Sequence, residues 1–301
     1  MVLDYNLSNT IRGETKVSPL FFNEGIIMTK GIITIIGWNR PKYLKRVLDS
    51  VLLAYNYNKY DIHISIDYSP KTLTESTTII NDFITNIETN VIVEYQTTQL
   101  GNTGNTRRSA DFAFIDNNYD YMIHLEDDTI MGKDYILWCE WANNTFGKDP
   151  NNFCNCPFIP TANKIGDNII NITDPTLSLK RNFFEAQGGF IINKSQYDYI
   201  LSLGGFFGAG APPKNVKSYN DYKNRIPIND KFAFDGPMNR YFIRDKYVVS
   251  PYISRGQNIG EENGVWNPSK EWHNKNILNK LWIDSKEFIT LDLQHIQYKL
   301  Q

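Results

Sequence analysis

The chain has 301 residues, of which 41% are hydrophobic and 14% aromatic, enough for one large α/β domain or two small ones with a sizeable core. A mean hydropathy of −0.41 and 21% charged residues argue against a disordered or membrane-spanning chain. The net charge of −2 excludes a general attraction to nucleic acid or anionic lipid, so any phosphate binding must come from a local site.

Residues 1–30 are polar and weakly periodic and read as an arm laid over the domain. They lack a long apolar stretch with a basic flank, so neither a signal peptide nor a membrane anchor is expected, and the chain reads as soluble and cytoplasmic. The first strong element is Gly31-Ile32-Ile33-Thr34-Ile35-Ile36-Gly37, a β-branched run that predicts a central buried strand. It ends in Trp38-Asn39-Arg40-Pro41, and Pro41 suits the first turn of a helix whose apolar positions are Leu44, Val47, Leu48, Val51 and Leu52. A second strand, Ile62 to Ile66, ends at Asp67. A helix over about 72–87 and a third strand, Val91 to Tyr95, follow. The Gly/Asn/Thr-rich stretch 101–105 reads as a loop leading into a helix from about Arg107 to Ile115. The apolar run Tyr121-Met122-Ile123-His124-Leu125 closes the fourth strand–helix repeat.

Such alternation predicts an α/β fold with a mostly parallel sheet, whose ligands bind at the carboxyl ends of the strands. Arg40, Asp67, the 101–105 loop and the acids Glu126-Asp127-Asp128 all fall at such ends. Three carboxylates directly after a buried strand repel one another unless a cation joins them. Oxygen-only ligands suit a hard divalent ion such as Mg²⁺ or Mn²⁺, which also grips phosphates. A strand ending in that way is what a nucleotide-sugar transferase needs to hold a diphosphate; a solvated acidic turn is the plain alternative. The other clusters on the same rim favour the cation site.

Beyond the acids, Asp134 to Phe146 predicts a helix with core-facing Tyr135, Trp138 and Trp141. Phe183 to Ile192 suggests a bend and a strand, followed by a helix around 195–203, and 204–229 reads as a long turn-rich lid or disordered segment. Cys139, Cys154 and Cys156 are too few for a disulfide framework, and the last two are too close in sequence for an unstrained bridge. No second pair or suitably spaced His suggests zinc, so three reduced, structural cysteines are expected.

The arrangement resembles the GT-A fold glycosyltransferases, and within them the enzymes of the N-acetylglucosaminyltransferase I type, with the protein O-mannose GlcNAc-transferase as a relative. The resemblance spans roughly residues 31 to 266. It rests on Trp38-Asn39-Arg40, the DxD-like triplet Glu126-Asp127-Asp128, the Phe183-to-Ile192 stretch with Gly188-Gly189, and Ser250-Pro251-Tyr252-Ile253-Ser254-Arg255 followed by Gly260 and Gly264-Val265. It implies a Rossmann-like, mixed but mostly parallel sheet flanked by helices, with a catalytic domain over 31–270 and a C-terminal extension over 271–301. Its nucleotide-sugar half would be 31–130 and its acceptor half 131–270.

The resemblance further implies a UDP-sugar donor, UDP-GlcNAc first among them, a divalent cation (Mn²⁺ or Mg²⁺) and a glycan acceptor. Backbone near Ile36 and Trp38, with Arg40, would hold uracil and phosphate; Asp67 would meet the uracil edge. Glu126 would touch the sugar, Asp127 the ribose or sugar side, and Asp128 would ligate the cation. Ile253 and Ser254 would belong to a loop closing on the donor. The family carries a His on the helix before the acidic strand, where this chain has Asn105, Thr106, Arg107 and Arg108; Asn105 and Arg107 are the candidate donor contacts there. The family places its base after an aromatic in the region of Phe234-Asp235, which makes Asp235 the candidate base of an inverting transfer; Asp230 competes, and Asp235 before Gly236-Pro237 also suits a helix cap. A retaining transferase, another donor, a nucleotidyltransferase and a non-catalytic carbohydrate-binding protein remain alternatives. With no anchor expected, the chain would depart from the Golgi members of the family and read as a soluble microbial or viral cousin.

Plain structural readings hold elsewhere. His63 and His124 lie inside apolar strands and read as core histidines, whereas His273 and His295 lie in a polar tail and are expected at the surface. Arg107-Arg108 suits either a phosphate at a helix amino terminus or a solvated face. Trp266 and Trp272 read as core or rim aromatics rather than sugar-stacking residues.

Overall fold

The run Gly31–Gly37 forms strand β1 with all seven residues buried, as a β-branched segment covered on both faces must be. The computed structural model describes residues 30–159, 178–202, 238–239, 243, 245–251, 253–261, 269–276 and 295–296. In it β1 is followed by α1 (Pro41–Leu53), β2 (Asp61–Ile66), α2 (Leu73–Asn86), β3 (Val91–Tyr95), α3 (Gly101–Asp111) and β4 (Tyr121–Glu126). The alternation expected from sequence is present, with β1 and β3 at the expected bounds. Beyond it come β5 (Thr129–Met131), α4 (Tyr135–Phe146), β6 (Asn152–Asn155), β7 (Ser178–Arg181), β8 (Phe190–Asn193), α5 (Lys194–Ser202), β9 (Tyr247–Pro251), β10 (Gly256–Asn258), α6 (Lys270–Asn276) and β11 (His295–Ile296).

Among the described residues, nine strands form one sheet in the order β11-β7-β9-β6-β8-β4-β1-β2-β3, and β10 pairs with β5 in a second, two-stranded sheet. The pairs β1–β2, β1–β4, β2–β3, β6–β9 and β7–β11 are parallel, whereas β8 runs antiparallel to β4 and β6, and β7 to β9. The fold is thus α/β, with a mixed, mostly parallel sheet flanked by helices. From β1 the chain moves outward through β2 and β3, then crosses back to place β4 on the other side of β1. That reversal opens a crevice at the carboxyl ends of β1 and β4, the position where open α/β sheets bind ligands.

Alternate strand residues feed two cores. Ile33, Ile35, Ile62, Ile64, Ile123 and Leu125 pack against Leu44, Val47, Leu48 and Val51 of α1, Ile80 and Phe83 of α2, and Tyr135, Trp138 and Cys139 of α4. On the other face, Ile32, Met122, Phe190 and Ile192 pack with Ala110, Phe112, Ala113, Phe114, Tyr197 and Ile200. All three cysteines are free and buried, as read from sequence. Among the described residues no helix is long and apolar enough to cross a membrane.

α3 overturns one expectation. Residues 101–105 are its first turns rather than a loop, and a π-helical turn over Phe112–Asp116 ends it. Glycine and asparagine are poor helix formers, but its first amides are capped from outside. Its sheet-facing side is polar and meets polar strand residues: Ser65 Oγ donates to Asn105 Oδ1 at 2.5 Å, and the Asn105 amide donates to the Ser65 carbonyl at 3.1 Å. Thr34 Oγ1 lies 2.9 Å from His124 Nδ1. Hydrogen bonding rather than an apolar stripe docks this helix, so no period-3.6 pattern announces it. β6 is a further element that the sequence does not announce. The arm, the 204–229 segment, Asp230, Asp235 and Trp266 lie outside the described residues.

Candidate functional site

The parallel register sets Ile36 beside Glu126, so the next residues of both strands emerge side by side at the crevice. Gly37 keeps the approach close, since a Cβ there would meet Ile66 Cδ1 at 3.0 Å and Asp127 Cβ at 3.7 Å. The chain then turns into α1, with Arg40 at the N-cap position and Pro41 following. Arg40 reaches across: Nη1 donates to Asp128 Oδ2 at 2.8 Å, and Nη2 donates to Asp127 Oδ1. The Trp38 N–H donates to Asp127 Oδ2 at 3.2 Å. Three expected site residues, Arg40, Asp127 and Asp128, are thereby joined directly, with backbone from Trp38.

The electrostatics are strained toward positive charge. Asp127 and Asp128 are both buried, and one guanidinium faces three carboxylates. Burial, and then the neighbouring Asp128, push the Glu126 carboxyl up to about 8. Burial also holds Asp127 above the usual carboxylate range against the pull of Arg40. Burial opposes the charge on Arg40, but Asp128 and Asp127 outweigh it and hold the guanidinium above its ordinary value.

Two residues not singled out from sequence complete the cluster. Asn102, in the first turn of α3, donates to Glu126 Oε1 at 3.0 Å. Asn258, at the end of β10, donates from Nδ2 to Asp128 Oδ1 at 3.1 Å and to the Gln187 carbonyl at 3.0 Å. Its Oδ1 accepts the Gly260 N–H at 2.9 Å and lies 3.0 Å from His273 Nε2. His273, expected at the surface, is 1% exposed, because α6 packs it against β10. Gly260 is required where it stands: a Cβ there would lie 2.2 Å from Asp128 Oδ2 and 3.1 Å from Arg40 Nη1.

Other expected site residues have different surroundings. Asp67 Oδ1 accepts the N–H groups of Tyr68 (2.8 Å) and Leu100 (2.7 Å), and Oδ2 accepts that of Gly101 (2.8 Å). Its carboxylate is the external cap of α3. Asn105 faces Ser65 under the helix, and Arg107 pairs with Asp111 at 2.8 Å, so neither side chain is among the partners of the acids. Arg108 is held by Glu94 (3.0 Å from Nε) and Asp116 (2.6 Å from Nη1), a structural joint rather than a phosphate site. Ile253 is buried; Ser254 Oγ donates to the Ile159 carbonyl at 2.9 Å and accepts its N–H at 2.8 Å. These two residues brace the strand approach to β10 and Asn258. His63 and His124 are fully buried, as expected.

A divalent cation can be weighed against these groups. The donors are hard oxygens, and the carboxylates carry more charge than Arg40 offsets. Among the described residues no three His, Cys, Asp or Glu side chains form a ready shell for a metal. The oxygen donors suit a hard cation such as Mg²⁺ only where ligands from outside the protein complete its shell.

No match was found among protein-family models or among curated proteins. Solved structures similar to this chain include the mannosyltransferase PcManGT from Pyrobaculum calidifontis in complex with GDP-Man and Mn²⁺, at 10% identity and a TM-score of 0.40 over 75% of this chain and 58% of that one. S. aureus TarS 1-349 is 11% identical with a TM-score of 0.41 over 75% and 59% of the two chains. Its complex with UDP gives 11%, 0.38, 57% and 48%. The match spans less than two thirds of the length of each of these proteins.

Proposed function

We propose that the chain is a GT-A glycosyltransferase that moves a sugar, GlcNAc first among the candidates, from a UDP-sugar to a hydroxyl of a glycan acceptor with inversion. The observation that carries this reading is the meeting of Arg40, Asp127 and Asp128 at the switch between β1 and β4. An arginine fork suits phosphate oxygens bidentately, and it stands beside carboxylates suited to a hard cation. Mn²⁺ or Mg²⁺ on Asp128 supplies Lewis acidity to the departing diphosphate when bound.

The chain's own residues divide the remaining work. Backbone at Ile36 and Trp38 frames the nucleoside, and Arg40 holds the diphosphate. Asp127, oriented by the Trp38 N–H, faces the ribose or sugar, and Glu126, held by Asn102, faces the sugar. Asp67 anchors the first turn of α3 so that Asn102 reaches Glu126; Ile253 and Ser254 support Asn258. Asp235 is proposed as the base that takes the acceptor proton, with Asp230 as its competitor.

The test is release of nucleoside diphosphate from UDP-, GDP- and TDP-sugars with Mn²⁺, followed by proton NMR of the anomeric product. The expected result is chelator-sensitive release that is fastest from a UDP-sugar, and an inverted product. Release from none of the donors contradicts the function, and a retained product contradicts the stereochemistry. Asp235→Asn is expected to keep donor binding and to lower transfer by about 10²–10⁴-fold; turnover near wild type removes it as the base.

A further inference from the structure

The acidic pair already holds a cation, and it is Arg40. Its guanidinium bridges Asp127 and Asp128, and its side chain is 15% exposed against 5% and 7% for theirs. Both Asp128 oxygens already accept a hydrogen bond: Oδ2 takes Arg40 Nη1 at 2.8 Å and Oδ1 takes Asn258 Nδ2 at 3.1 Å. Gly260 walls the Oδ2–Nη1 contact closely: a methyl group there would overlap Oδ2 at 2.2 Å and crowd Nη1 at 3.1 Å. A metal ion approaching Asp128 Oδ2 therefore competes with the guanidinium for the same oxygen. Displacing Arg40 by the ion alone leaves a largely buried guanidinium short of its partner, which is costly. A nucleoside diphosphate removes that cost, because its phosphate oxygens offer Arg40 a new bidentate partner and give the ion the ligands that the protein lacks.

We propose that Arg40 is a latch on the acidic pair: it closes Asp127 and Asp128 until cation and nucleotide enter together, and then transfers to the diphosphate. Resting on the nucleoside-diphosphate and cation reading above, it makes binding of the two mutually dependent, since a partner that releases the latch for one releases it for the other. It also makes Arg40 oppose the metal alone while supporting the metal–nucleotide pair. A purely structural arginine has no such opposite signs.

The test is titration of the full chain with Mn²⁺ alone, UDP alone and both together, by calorimetry and Mn²⁺ electron paramagnetic resonance, on wild type, Arg40→Ala and Arg40→Lys. In wild type UDP is expected to tighten Mn²⁺ binding by at least about tenfold, within the usual range of coupling. Arg40→Ala is expected to bind Mn²⁺ alone about tenfold more tightly than wild type, to bind UDP with Mn²⁺ more weakly, and to lose most of the coupling. Arg40→Lys, which keeps a charge but cannot bridge both acids with a fork, is expected to fall between, and it carries the test if the alanine variant does not fold. Wild type that binds Mn²⁺ and UDP together, with Mn²⁺ alone binding either variant no more tightly than wild type, overturns the latch and leaves the site reading standing. Wild type that binds neither UDP nor GDP with Mn²⁺ overturns the site reading and the latch with it.

Discussion

Asn258 Nδ2 donates to Asp128 Oδ1 at 3.1 Å, tying the end of β10 to the acid that follows β4. The same side chain serves Gln187, Gly260 and His273, so one amide joins four segments of chain around Asp128. The Ile259 N–H continues the tie by donating to the Asp128 carbonyl at 2.7 Å. Asn258→Ala leaves several buried polar groups without this partner. It is expected to cost about 1–3 kcal/mol and to weaken Mn²⁺-dependent UDP binding. Chemical denaturation with a UDP titration checks both; unchanged stability would show that the amide is dispensable.

A second consequence concerns Asp67. Its carboxylate caps α3 from a neighbouring strand end, and loss of a cap costs about 0.5–2 kcal/mol. Asp67→Ala is expected to lower stability by that amount and to speed amide exchange at Leu100 and Gly101. Asp67→Asn, which keeps one acceptor oxygen, is expected to lie between. Exchange rates at the wild-type level in Asp67→Ala would contradict the capping role.

The polar layer under α3 predicts acid sensitivity. Burial holds His63 down to about 4, where it stacks on Phe112 at 3.9 Å and faces Glu94 at 3.3 Å with Arg108 nearby. Burial holds His124 down to about 3 between Thr34, Thr106 and Phe190. Both values lie below the ordinary 6.5. The unfolded chain therefore binds protons that the folded chain does not, and the histidine contribution is full above about 6.5 and declines as pH falls toward 4. Each tenfold loss of proton affinity on folding corresponds to about 1.4 kcal/mol. The Glu126 carboxyl, raised to about 8, acts in the opposite sense as pH falls, so the histidine part is read as the stability of wild type minus that of His124→Gln at pH 7.5, 6 and 5, a difference expected to fall in that order. A difference independent of pH across this range would count against a buried neutral His124.

Legibility in sequence followed the physics of each element. β1 and α1 could be read because their apolar residues recur at the periods of a buried strand and a one-faced helix, and Pro41 marks the start. The place of the acids could be read because an apolar run directly precedes them and sets them at the strand end, where Arg40 meets them. The start of α3 could not, because its cap comes from Asp67 on another element and its buried face is polar. The 101–105 stretch was placed on the rim, but read as a loop it fixed no partner for Asn102, whose contact with Glu126 follows from the helix start. Asn258 was hidden because the pairing of β10 with β5 brings it to Asp128, and His273 because it meets Asn258 from α6; a lone His in a polar segment carries no such signal.

The rim of β1 and β4 is proposed to hold a nucleoside diphosphate through a cation on Asp128 and the fork of Arg40. Titration of UDP with and without Mn²⁺ into wild type and Asp128→Ala tests it most directly. Wild type is expected to bind UDP at least about tenfold more tightly with Mn²⁺ than without it, and Asp128→Ala, folded by its thermal melt, is expected to lose that difference. An Asp128→Ala variant that binds UDP with unchanged affinity and unchanged dependence on Mn²⁺ would contradict it.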